Sequence, residues 1–281
     1  MPASPQLRSP AASNPVDTLG RLARSSAALL AVASYGLVLL AMLANLRLPG
    51  KPGWPEALLI FTTTIATLTA LSRQLPAQNT LLAALIIAGI GSAAHTLGAA
   101  TGIPFGPFTY NPDAGPRLLN LLAWPLPLLW IVAVLNSRGV ARLILRPWRK
   151  LRAYGFWLIG LTIVLTVLFD AALEPFAVNV KHYWLWQPTR IPFTWDGTPV
   201  TNFLGWLITT LLIMAFAAPV LIDKRVRPAS RPPDYHPLLT WLLALILFGT
   251  GAATHQLWVA VGFCGIAGLV VATFALRGAK W

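Results

Sequence analysis

Asp170 and Glu174 stand four residues apart at the end of an apolar run that starts near Leu161, in a chain with only eight acidic residues. A charged side chain at bilayer depth is costly, so an acid there faces a polar cavity and marks a functional site by default. At this spacing the two share one helical face. Pro175 predicts that the helix stops at the preceding turn. A carboxyl group among apolar atoms favours its neutral form, which a general acid needs, and two carboxyls on one face resist simultaneous ionisation. Acid chemistry or a proton relay is therefore the first expectation.

These residues need a scaffold, and composition says which kind. The 281 residues are 56% hydrophobic and 10% charged, against about 25% charged in soluble domains. Apolar stretches long enough to cross about 30 Å of hydrocarbon recur along the chain. Eight are expected, near 27–46, 55–72, 79–100, 118–136, 154–173, 201–222, 237–253 and 256–276; seven remain if the second or seventh is re-entrant. The fold class is an all-α polytopic membrane bundle. Residues 1–24, rich in Pro, Ser and Ala, are expected as a disordered tail rather than a cleavable signal, and 25–281 as one transmembrane domain.

The net charge of +13 raises the question of nucleic acid. The basic residues instead alternate from loop to loop as membrane topology requires. With the N-terminus inside, 16 of the 21 fall on the inner side, including the cluster from Arg138 to Arg152 and the cluster from Lys224 to Arg231, and five on the outer side, Arg47, Lys51, Arg117, Lys181 and Arg190. Eight spans with both termini cytoplasmic follow, in a membrane expected to be the bacterial inner membrane. No nucleic-acid partner is expected. The basic clusters also suit anionic lipid head groups. The single Cys264 cannot form an internal disulfide.

That orientation gathers the unusual residues on the outer side. They are His95, the stretch Thr101-Gly-Ile-Pro-Phe-Gly-Pro-Phe-Thr-Tyr110, the acid pair, His182-Tyr-Trp-Leu-Trp186, Trp195-Asp-Gly197, Asn202-Phe-Leu-Gly-Trp206 and His255. Several have a plainer explanation beside the functional one. Trp184, Trp186, Trp195 and Trp258 suit an interfacial belt. Gly102, Pro104, Gly106 and Pro107 suit a turn. His95 suits a packed imidazole bonded to a carbonyl, and Asn202 a helix cap. No zinc spacing, phosphate loop or Gly-Xaa-Ser-Xaa-Gly element is present. No metal site is expected, and nothing supports nucleotide-driven transport or a common serine hydrolase.

Taken in order, Thr101 to Gly106, Phe108-Thr-Tyr110, Gly115-Pro116, Asp170-Xaa3-Glu174-Pro175-Xaa-Ala177, Tyr183-Trp184-Xaa-Trp186 and Asn202 to Trp206 resemble the carotenoid biosynthesis protein family over residues 85 to 220. Its studied members are carotenoid hydratases of the bisanhydrobacterioruberin and γ-carotene 1′,2′ kinds. One position departs, because His95 stands where that pattern leads one to expect an acid, usually Glu.

The resemblance implies addition of water to the terminal double bond of a linear carotenoid dissolved in the bilayer, giving a tertiary alcohol without any cofactor. Asp170 is then expected as proton donor, with Glu174 and His95 holding the water and accepting its proton. Trp184, Trp186 and Phe105 would face the carbocation. Thr101, Pro104, Tyr110, Asn202 and Trp206 complete the expected substrate-binding set, with Asn202 orienting the water or a carboxylate. Two other classes stay open: a non-catalytic polyisoprenoid-binding membrane protein, favoured by His95, and a proton-coupled transporter using the acid pair as a relay. Oligomeric state is not legible.

Overall fold

The computed structural model describes residues 32–34, 36, 54–112, 116–118, 120–222 and 233–281. Within them seven long helices form one bundle: α1 (Trp54–Ser72), α2 (Ala77–Thr101), α3 (Leu126–Ile144), α4 (Tyr154–Pro175), α5 (Val200–Ala217), α6 (His236–Thr254) and α7 (Trp258–Ala279). Six, α2 to α7, are long and apolar enough to cross a membrane when α4 is counted through Val180; the apolar part of α1, Glu56–Ser72, is shorter. Large apolar side chains face outward along these helices, among them Leu85, Ile208, Phe216 and Leu269. In water such a surface would drive aggregation; in lipid it is the solvated face. The chain is a multi-pass integral membrane protein.

The first expected span, 27–46, and the basic cluster from Lys224 to Arg231 lie largely or wholly outside the described residues, as do the tail and Gly115. The fourth expected span needs correction, since 118–136 is observed as 126–144. Leu118 and Leu122 are apolar but belong to a tight ladder, β2 (Arg117–Leu118) against β3 (Leu122–Ala123), with Asn120 at φ 59° in the turn. The helix starts where Pro125 and Pro127 give up only N–H groups that a first turn leaves unpaired. Arg138 and Arg142 therefore sit inside α3 rather than in the loop after it. Arg138 is buried and donates to the Leu221 carbonyl beyond α5 at 2.8 Å; Arg142 donates to Gln74 at 2.6 Å.

The helix carrying the acid pair also departs from expectation. It does not stop at Pro175 but widens into a π-helical turn, Phe176–Val180. Proline has no N–H, so the carbonyl four residues back, at Ala171, loses its helical donor. The indole of Trp195 takes that place, donating to Ala171 O at 2.8 Å.

The central helix is α3, packed against α1, α2, α4, α6 and α7. On the side where α2 and α4 end and α3 and α5 begin, short ribbons cover the bundle. β1 (Phe108–Tyr110) pairs antiparallel with β4 (Trp184–Trp186), Phe108 opposite Trp186 and Tyr110 opposite Trp184. Side chains alternate between ribbon faces. Thr109 and Leu185 point out, while the four aromatics turn toward the helices. A third ribbon joins β5 (Thr194–Trp195) to β6 (Thr198–Pro199).

Candidate functional site

Asp170 and Glu174 project from the last turns of α4 and are both buried. Their common partner is Asn202, in the first turn of α5, whose Nδ2 donates to Asp170 Oδ2 at 2.8 Å and to Glu174 Oε1 at 3.2 Å. The capping explanation for Asn202 is thereby excluded: α5 is preceded by Pro199 and has no side-chain cap. One amide holds two carboxyls from the neighbouring helix within reach of a single nitrogen.

The two acids differ sharply in their other contacts. Glu174 Oε2 accepts from Thr198 Oγ1 at 2.9 Å, from Trp186 Nε1 at 3.0 Å and from Trp184 Nε1 at 3.2 Å. Asp170 Oδ1 has no partner among the described residues. Several donors hold the Glu174 carboxyl in one orientation, whereas a buried oxygen without a donor calls for a proton or a ligand. The ribbons exist in part to deliver those donors. Pairing with β1 fixes Trp184 and Trp186 on the inward face, and β6 presents Thr198.

His95, on α2, completes the group. Trp130 on α3 donates its indole N–H to His95 Nδ1 at 3.1 Å. Indole is a donor only, so in this contact Nδ1 accepts, which for a neutral His95 puts the proton on Nε2. The ring also lies within hydrogen-bond reach of the Gly91 carbonyl one turn back on α2, the packed-imidazole contact expected for it. The imidazole lies against Phe105, ring centroids 4.3 Å apart, and edge-on to Trp130 and Trp206 at 5.6 and 6.1 Å. Trp206 stacks on Trp130 at 4.0 Å. Close approaches at Gly98 and Gly205 seat Phe105, and Gly91 seats Trp130; a Cβ at any of the three would meet the ring.

His95, Glu174, Asn202, Trp184, Trp186 and Trp206 line a cavity of about 10 Å³, together with Phe108, Tyr110 and Leu126. A volume of that order holds about one water. Beside it lies an apolar cavity of about 220 Å³ between α1, α3, α4 and α6. Tyr110, Leu126 and Trp184 belong to both walls. Asp170 is on neither wall and stands behind Asn202 and Glu174.

Other expected site residues fall elsewhere. Thr101 is exposed and closes the end of α2, donating to Leu97 O and accepting from Ile103 N–H. Pro104 follows it in the turn, where Gly102 at φ 77° ends the helix in the left-handed region. Phe105 is fully buried behind His95, on neither cavity wall. His255 bonds Gly251 O at its own helix corner, and Trp258 is exposed.

Thr198, Trp130 and the pair Glu56–Lys181 were not anticipated, while Phe108 and Tyr183 were named only as motif residues without a role. Lys181 forms a buried ion pair with Glu56, and Tyr183 donates to Glu56 at 3.1 Å. Burial and the neighbouring Glu56 hold the Tyr183 phenol well above its ordinary pKa, so it stays a donor. This cluster ties α1 to the segment that carries Trp184. Among the described residues no group of His, Cys, Asp and Glu is placed to hold a metal ion.

Comparison with known proteins assigns the chain to a family. Residues 55–271 match the family described as carotenoid biosynthesis protein. A stretch of 114 residues is 33% identical to the bisanhydrobacterioruberin hydratase of Haloarcula japonica, covering 40% of this chain and 36% of that relative. No solved structure matches the chain. Because the family match takes in the helices and ribbons that build the site, the chain belongs to the carotenoid biosynthesis protein family.

Proposed function

We propose that the protein is a cofactor-independent hydratase that adds water across the terminal double bond of a linear carotenoid end group. The observation that carries this reading is the one-water cavity lined by Glu174, His95 and Asn202, sharing a wall with a much larger apolar cavity. An acid, a water position and an apolar channel are the three things the reaction requires.

In this reading Asp170 and Glu174 work as a pair with one proton between them. Glu174, the carboxyl on the cavity wall, passes that proton to the less substituted alkene carbon, and the π pair forms the new C–H bond. Positive charge develops on the tertiary carbon, facing the indole rings of Trp184, Trp186 and Trp206 and the Glu174 carboxylate; a ring–cation contact is worth about 2 kcal/mol when desolvated. Water attacks that carbon, and its proton returns to the acid pair, so the catalyst is regenerated and nothing is oxidised or reduced. His95, bearing its proton on Nε2, donates to the water oxygen and orients it. Asp170, which lies on neither cavity wall, then serves as proton reservoir behind Glu174, in place of the donor role that the family resemblance leads one to expect for it. His95 becomes a water-orienting donor and not a proton acceptor.

The experiment is expression in cells that accumulate lycopene, followed by mass analysis of the carotenoids. A product heavier by one water is expected; unchanged lycopene in cells holding abundant folded protein would sink the proposal. For topology we propose eight spans with both termini cytoplasmic in a single transmembrane domain of the cytoplasmic membrane. Reporter fusions after Arg152 and after Arg190 should report opposite sides, and the same side would refute it.

A further inference from the structure

The 220 Å³ cavity is elongated, and its wall on α6 is a single stripe: Leu239, Thr240, Leu243, Ala244 and Leu247, reaching Phe248. Those positions recur with the period of one helical face. From His236, also on the wall, to Phe248 is twelve residues, about 18 Å of helix at 1.5 Å per residue. Phe248 packs on Phe169 and Phe176, which flank the acid pair on α4, at 5.6 and 5.4 Å. The cavity therefore starts level with the carboxyls and runs along α6 toward the opposite membrane face. At its ribbon-side end stand Glu56 and Tyr183, hydrogen-bonded to one another.

We infer that this cavity holds a linear polyisoprenoid chain lengthwise across the membrane, its reactive end at Tyr110, Leu126 and Trp184 and its remainder along α6, so that one end reacts in each binding event. The reactive end rests on the hydratase proposal; the seat for the chain does not. The shape selects an unbranched apolar chain. A flat polycyclic ring system would not follow a stripe one helical face wide.

Two experiments test this. The full chain is expressed in lycopene-accumulating cells and purified in detergent, and retained carotenoid per protein is read from visible absorbance. Ala244→Phe, halfway along the cavity, should lower retention at least tenfold, whereas Leu269→Phe on the outer face of α7 should retain as much as wild type. Ala57→Phe on the opposite wall makes the same test if Ala244→Phe does not fold. Wild-type retention in a folded cavity variant overturns the inference. Wild-type protein that retains carotenoid but yields no water adduct would sink the hydratase reading and support the seat.

In the second experiment a carotenoid with two identical ends is supplied, and products are followed in time. Free mono-hydrated product should precede the dihydrated one. Appearance of dihydrate with no free mono-hydrate would overturn the claim of one end per visit.

Discussion

The two cavities share three wall residues and are built on opposite principles. In the small one, polar atoms from α2, α4, α5 and the β1–β4 ribbon converge on a space for one water, and Glu174 alone accepts four hydrogen bonds. In the large one the walls are almost entirely aliphatic and aromatic, and the polar side chains are few and scattered: Glu56 and Tyr183 at one end, His236 and Thr240 toward the other, and Thr63 between. Buried polar networks hold a fixed geometry only when their members are satisfied, whereas apolar walls tolerate changes of shape at smaller cost. If the small cavity carries the proposed reaction and the large one the proposed substrate, the difference makes reaction and recognition separable. Substitutions around the small cavity should change turnover, and those around the large one should change which substrates bind.

Glu174→Gln is the strongest way to break that comparison. It keeps the volume but supplies an amide where three donors converge, and it removes the carboxyl on the cavity wall. Hydration should fall by about a thousandfold, within the range that acid–base groups contribute. Carotenoid retention should persist, measured on the same preparation; loss of both together would mean that the two cavities are not separable. Asp170→Asn comes next. With the reservoir gone and Glu174 still on the wall, turnover should drop by about a hundredfold, again as expected for one member of an acid–base pair. Full activity in Asp170→Asn would remove Asp170 from the chemistry.

Trp130→Phe sharpens the part played by His95. Without the indole N–H, Nδ1 is no longer obliged to accept, and the ring is free to turn or change tautomer. One neutral hydrogen bond is worth about 1 kcal/mol, or about fivefold in rate. The expected signature is a lower kcat at unchanged KM, because Trp130 does not line the large cavity. A raised KM alone would instead assign His95 to substrate binding.

How much of this was legible in the chain depends on the residue. Asp170, Glu174 and Asn202 announced themselves because polar side chains in or beside apolar runs are expensive unless they meet one another. Trp184 and Trp186 were legible through the motif that resembles the family, although what they do, donating to Glu174, was not. Thr198 and Trp130 gave no signal. A threonine after Asp-Gly reads as an ordinary turn residue, and a tryptophan inside an apolar span as filler. The offset of α3 has a similar cause. Hydropathy averages over Leu118 to Ala123 without seeing that the chain turns there, while Pro125 and Pro127 mark the true start. Pro175 misled for the opposite reason: its missing hydrogen bond is replaced by Trp195, from a loop twenty residues on, which no local rule could supply.

Thr198→Val makes the finest cut between the two cavities. The change is nearly isosteric and removes one of the three donors to Glu174 Oε2, leaving Trp184 and Trp186 in place. Hydrogen bonds to charged groups are worth about 1.5 to 3 kcal/mol, but the two remaining indoles share the load, so the lower end applies and a loss of about tenfold or less is expected. Thr198 is fully buried and touches neither cavity wall. Its effect must therefore pass through Glu174. Combined with Glu174→Gln, Thr198→Val should cost nothing further in turnover, since the carboxylate that its hydroxyl serves is already gone. If the double variant instead loses activity as the product of the two single losses, Thr198 acts on the β5–β6 ribbon and not on the acid. The tuning of Glu174 would then have to be assigned to the indoles alone.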